Sequence, residues 1–200
     1  MAKKALELSP LLFPVMAALV TCQGKEGKAN IITISWGGIL RTYPPLIGIS
    51  VQRTRFSHGL IMESKEFVLN LPSEEILWAV DYCGWVSGSE VDKFKETGLT
   101  PMPSRIVKPP TIAECSVNLE CKVEDIVGLE PYDLFIAEVV ATVADEKILL
   151  PGAHKAETVA FKEVLNISKY RPVCYIPGGG KYWSLSKEME PIFFSKSQTS

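Results

Sequence analysis

Histidine is the scarcest reactive side chain in this 200-residue chain, present only as His58 and His154. There is no H-E-x-x-H pair, and Cys115 and Cys121 lack zinc-site spacing, so no metal ligand set is encoded. No G-x-S-x-G elbow occurs, which leaves a Ser-His-Asp hydrolase without its usual frame. No G-x-G-x-x-G follows a strand, so a Rossmann nicotinamide site is excluded. The run Gly178-Gly179-Gly180-Lys181 is not a phosphate loop. Tyr175 stands where the first glycine is needed and Tyr182 where a Ser or Thr should follow the lysine, so a tight hairpin turn is expected. Excess charge is missing too. A formal net charge of -2 and a pI near 5.8 give no basic face for a nucleic acid. The apolar run Leu11 to Val20 is short and carries Pro14, so it neither spans a bilayer nor reads as a signal peptide. The five cysteines are odd in number and include no Cys-x-x-Cys, as reduced thiols of a cytoplasmic protein would be.

What is present is an ordinary globular composition, 46% hydrophobic and 22% charged, with no repeat and no linker. It predicts one domain over residues 1–200 with a substantial core. The chain is organised around Asn30 to His58. Asn30 to Gly38 alternates, with Ile32, Ile34 and Trp36 on one face and Thr33 and Ser35 on the other. Leu46 to Gln52 repeats the pattern, opposing Ile47, Ile49 and Val51 to Gly48 and Ser50. Arg53, Arg55, Ser57 and His58 follow, with Ser57 placed to cap a helix. Arginines beside a helix N-terminus make an anion site, because free N–H groups and guanidinium donors converge there. A hydroxyl-bearing shelf beside such a socket suits a nucleotide-like ligand.

Around this segment the pattern predicts strands at Val15 to Cys22 and Phe67 to Leu71, and helices from Ser73 to Gly84 and from Glu90 to Gly98. Residues 99 to 112 hold four prolines and read as an extended connection. Ile112 to Val127 and Tyr132 to Asp145 form a long antiparallel pair, an irregular stretch follows Leu150, and two short strands, Val173 to Ile176 and Lys181 to Leu185, close the chain. The fold class is mainly β (α+β): an antiparallel barrel with short added helices.

The set Asn30, Thr33, Ser35-Trp36-Gly37-Gly38, Pro44-Pro45, Gly48-Ile49-Ser50-Val51 and Arg55-Phe56-Ser57-His58 resembles the flavin-binding core of the flavoredoxin and flavin reductase-like family. The resemblance covers about residues 8 to 185 and implies the FMN-binding split-barrel fold, a homodimer and FMN at or near its interface. It implies cofactor contacts from Asn30, Thr33, Ile34, Ser35, Trp36, Ser50 and Val51 to the ring and ribityl chain. Arg53, Arg55, Phe56, Ser57 and His58 fall at the phosphate. A second block, Asp81-Tyr82-Cys83-Gly84, Ser87-Gly88 and Asp92-Lys93-Phe94, closes over the flavin in relatives and brings Cys83 and Lys93 to the cofactor. By residue type alone, Lys93 is a solvated helix lysine, Trp36 a core residue and Cys83 small packing.

A third block, Tyr132-Asp133-Leu134-Phe135, departs from the family. Many relatives have Gly-x-His before Asp-Leu-Phe, where the histidine belongs to the nicotinamide and flavin site. Glu130, Pro131 and Tyr132 stand there in this chain. Three readings follow. One is an NAD(P)H-dependent flavin reductase, one an FMN electron carrier working with an iron–sulfur protein, and one a flavin-binding barrel without redox turnover. Flavin carries the chemistry in the first two, so no protein acid or base need be conspicuous.

Overall fold

The computed structural model describes residues 3–149, 166–178 and 180–185, so the irregular stretch after Leu150, and His154 with it, lies outside the described residues. Strands dominate: β1 (Val15–Met16), β2 (Ala18–Gln23), β3 (Ala29–Ile34), β4 (Gly37–Thr42), β5 (Pro45–Gln52) and β6 (Glu66–Leu71) precede β7 (Pro101–Met102) and β8 (Thr111–Ile112). The long pair β9 (Val117–Leu129) and β10 (Tyr132–Ala144) and the short β11 (Val173–Ile176) and β12 (Lys181–Ser184) complete them. The helices are short: α1 (Phe56–Ser64), α2 (Leu77–Trp85), α3 (Lys93–Thr97) and α4 (Ile167–Tyr170). An antiparallel seven-stranded sheet runs β3-β2-β6-β9-β10-β5-β4, beside a three-stranded sheet β1-β11-β12 and the pair β7-β8.

The main sheet coils around an apolar interior built from Val20, Ile32, Ile34, Ile49, Val51, Phe67 and Phe135. Ile47, Ile49 and Val51 of β5 are buried as expected, but Leu46 and Gly48 are buried too, so burial alternates only from Ile49 to Gln52. Strands β2 and β3 are covered on both faces, because Leu19 and Ile31 point outward into a second cluster with Ala79, Val80 and Cys83 of α2. That burial explains why ALVTC and NIITI are almost continuously apolar.

Several boundaries differ from the sequence expectation. The strand expected over Asn30 to Gly38 stops at Ile34, and the chain breaks at Ser35-Trp36 before β4 starts. Gly37 accommodates this break: a Cβ there would come within 2.7 Å of the Gly48 carbonyl oxygen. Trp36 therefore leaves the core face and is 39% exposed. Ser57 lies inside α1 rather than capping it. The cap position is Arg55, and no side chain caps the helix. The 90–98 helix begins only at Lys93, where the Asp92 side chain accepts from the Lys95 amide, and it ends at left-handed Gly98. The proline-rich connection contains β7 and β8.

Candidate functional site

Two adjoining hollows open where the ends of β3 and β5 meet α1 and α2. Backbone bonding brings those ends together, since Ser50 N–H donates to the Trp36 carbonyl at 2.8 Å. The larger, about 450 Å³, is lined by Thr33, Ile34, Ser35 and Trp36, by Ser50 and Val51, and by aromatic residues from distant segments. Those aromatics are Trp85, Tyr132, Tyr175 and Tyr182. The smaller, about 170 Å³, is lined by Asn30, Thr54 to Ser57, Val86 to Gly88 and Lys93. Ile32, Gln52 and Arg55 border both, so the two are one continuous site.

The smaller hollow gathers positive charge. Helix α1 starts there with no side-chain cap and no acidic residue in its first turn. Its first amides thus keep their partial positive charge directed outward. Lys93 is 4% exposed, against the solvated helix lysine that residue type suggests. Its ammonium donates to the carbonyls of Ile31 (2.8 Å) and Cys83 (2.9 Å), and among the described residues no carboxylate pairs with it. Burial lowers its pKa from the ordinary 10.5. A buried charge that lacks a counter-ion is costly, and an anion in the hollow offsets that cost. Asn30 completes the wall, donating through Nδ2 to Ser57 Oγ at 2.7 Å. Gly88 is required here, because a Cβ would fall 1.9 Å from Asn30 Oδ1.

The larger hollow mixes aromatic and hydroxyl-bearing side chains, with Arg55 and Asp81 as its charged residues. The Thr33 hydroxyl donates to the Val80 carbonyl, clamping β3 to α2 rather than remaining available to a ligand. Tyr132 faces Gln52 across the β5–β10 ladder, which puts its ring on the cavity wall. Tyr182 Oη donates to Asp81 Oδ1 at 3.2 Å, and burial followed by Asp81 pushes its pKa up to about 12. It stays a neutral phenol at physiological pH.

Three of the expected contact residues border neither hollow. Arg53 is held by Asp133, whose Oδ1 accepts from Nε (3.0 Å) and Nη2 (2.7 Å), and by Glu130. His58 Nε2 lies 2.8 Å from Asp133 Oδ2 and its ring meets Phe135 edge-on. Cys83 is on the buried face of α2, and burial raises its thiol to about 11, so it carries no reactive thiolate. Sequence reasoning missed Trp85, Tyr175 and Tyr182. Their only signal is aromatic enrichment in α2 and in the last two strands, which by itself reads as packing.

Comparison with known proteins agrees with this geometry. The model of the flavin reductase like domain matches residues 11–159. A protein of Archaeoglobus fulgidus is 34% identical over 139 residues, spanning 70% of this chain and 77% of the relative. One from Aquifex aeolicus is 33% identical over 181 residues, spanning 86% of this chain and 85% of its own. Among solved structures, flavoredoxin of Desulfovibrio vulgaris (Miyazaki F) superposes with a TM-score of 0.86 at 27% identity, covering 98% of this chain and all of the other. Flavoredoxin from Methanosarcina acetivorans shares the fold, with a TM-score of 0.83 at 24% identity over 99% of this chain and all of its own. No described helix is long and apolar enough to cross a membrane. The chain belongs to the flavin reductase like domain family, with the split-barrel, flavin-binding fold of the flavoredoxins.

Proposed function

We propose that the chain is an FMN-binding oxidoreductase that passes electrons through a flavin seated across both hollows. The observation that carries this reading is their continuity: an aromatic and hydroxyl-bearing cavity wide enough for a planar ring adjoins a cationic one suited to a phosphate. In this reading Arg55, Ser57, Lys93 and the first amides of α1 hold the phosphate, while Asn30 fixes the Ser57 hydroxyl. Ser35, Trp36, Ser50, Val51 and Ile34 border the ring and ribityl chain, and Trp36 and Trp85 exclude water from it. Bound FMN would supply the redox chemistry, accepting hydride or electrons and delivering them one or two at a time.

The chain works as a homodimer in this reading. Edge strand β4 is exposed at every position, with Ile39 78% and Leu40 51% accessible, and such an apolar edge favours a covering partner. The described cysteines are all free, which fits the cytoplasm.

Tyr132 argues for an iron–sulfur protein, or another outer-sphere donor, over NAD(P)H. Its ring lines the cavity at the position where the family resemblance implies a histidine, and a tyrosine has no cationic form to offer a nicotinamide. Anaerobic stopped-flow mixing tests this. Dithionite should bleach the bound flavin, whereas NADH and NADPH should do so slowly or not at all, and Tyr132→His should speed them. Fast bleaching of the unmodified protein by either nucleotide identifies a plain flavin reductase instead.

A further inference from the structure

The charged cluster behind the smaller hollow gives Asp133 a role that ligand contact does not. Thr54, Arg55, Phe56 and Ser57 line that hollow, and the residues bounding them, Arg53 and His58, both turn to the opposite side. There one buried carboxylate holds both ends of the segment. Asp133 Oδ1 accepts two N–H groups of Arg53, and Oδ2 meets His58 Nε2 in the first turn of α1. The backbone reinforces the bracket, because Arg53 N–H donates to the Pro131 carbonyl at 3.0 Å. The segment thus spans from the end of β5 to the start of α1 with its two anchors fixed to the start of β10. Charge-assisted bonds from two Arg53 donors to one carboxylate oxygen, with His58 on the other, set direction as well as energy.

We propose that Asp133 is the positioning residue of the phosphate-binding segment. It acts through Arg53 and His58 to aim Arg55, Ser57 and the first α1 amides into the hollow, without touching the ligand. This rests on the reading that the smaller hollow takes the FMN phosphate. A socket whose donors must converge on one oxyanion loses most of its advantage when its supports relax. Asp133 neighbours Tyr132 in β10, so the same strand carries a wall of the ring cavity and the brace of the phosphate hollow.

FMN and riboflavin differ only by the phosphate, so titrating both into flavin-free protein separates positioning from general structural damage. The unmodified protein should prefer FMN. Asp133→Ala should weaken FMN by about tenfold while leaving riboflavin affinity within about twofold, collapsing the preference. Asp133→Asn keeps an acceptor for Arg53 and should fall between the two. An Asp133→Ala protein that keeps the FMN preference, or loses both flavins equally, overturns the proposal. Should that variant fail to fold, an undiminished preference in Asp133→Asn overturns it equally. No preference in the unmodified protein overturns the phosphate reading, and the role of Asp133 falls with it.

Discussion

The two hollows share a border but are constructed by different physics. The smaller takes its largest single share of wall from residues 52–57 and is tied down with specific bonds: Asn30 to Ser57, Lys93 to two carbonyls, Arg53 and His58 to Asp133. The larger is assembled from stretches between Ile32 and Tyr182, with the aromatic rings of Trp36, Trp85, Tyr132, Tyr175 and Tyr182 beside the hydroxyls of Ser35 and Ser50. In the proposed reading the first would hold charge through a few directed contacts, so removing one should be felt strongly. The second would hold a planar ring through area, so its contributions should be individually modest and interchangeable. Affinity should therefore reside in the cationic half, and the choice of redox partner in the aromatic half.

The largest effect expected from breaking that division is in the socket. Arg55→Ala with Ser57→Ala should cost about 3 kcal/mol or more of FMN binding, roughly a hundredfold, because contacts to a charged phosphate contribute about 1.5–3 kcal/mol each. Ser57→Ala also leaves the Asn30 amide without its acceptor, so a small fall in thermal stability should accompany it. Arg55→Ala alone isolates the ligand term. Unchanged affinity by calorimetry moves the phosphate out of this hollow.

Lys93 comes next and adds a pH dependence. Its folded-state pKa lies below the ordinary 10.5 because of burial, so the flavin-free protein should gain stability as pH rises from that lowered value toward 10.5. FMN binding has the opposite sign, since the phosphate needs the ammonium charged. FMN affinity should fall by about tenfold across the same window, with Lys93→Met showing a flat profile in that window. A wild-type profile that stays flat through the window separates Lys93 from the ligand.

The smallest effect belongs to the aromatic half. Trp85→Ala removes one exposed wall of the ring cavity, and FMN should weaken by only about 0.5–1.5 kcal/mol, the range of a single aromatic contact. Loss as large as in the socket double variant would erase the distinction between the halves.

The same contrast explains what could be seen in the sequence. One stretch of the socket, residues 52–57, is contiguous, so Arg55, Ser57 and the helix start stood out in one line of residues. Asn30 and Lys93 came through the family blocks. The antiparallel barrel with short added helices was legible because alternation in β10 and at the end of β5 and the turn residues between strands report local geometry, while its split-barrel form came through the family resemblance. The break at Ser35-Trp36 was not, since alternation continues across it and only the close approach of Gly37 to the Gly48 carbonyl reveals it. Arg53 and His58 carry the right chemistry for a phosphate, yet their direction depends on Asp133, 80 and 75 positions away in the chain. No local pattern encodes that pairing. Tyr175 and Tyr182 were hidden for the same reason, being brought to the cavity by the long return of the three-stranded sheet.

The central claim is that the joined hollows hold a flavin monophosphate. Its most direct test is the visible spectrum of the purified protein, followed by denaturation and identification of whatever is released. A yellow protein releasing FMN, about one per chain, is the predicted result. Release of riboflavin, or a colourless protein that shows no binding when titrated with FMN, would contradict it.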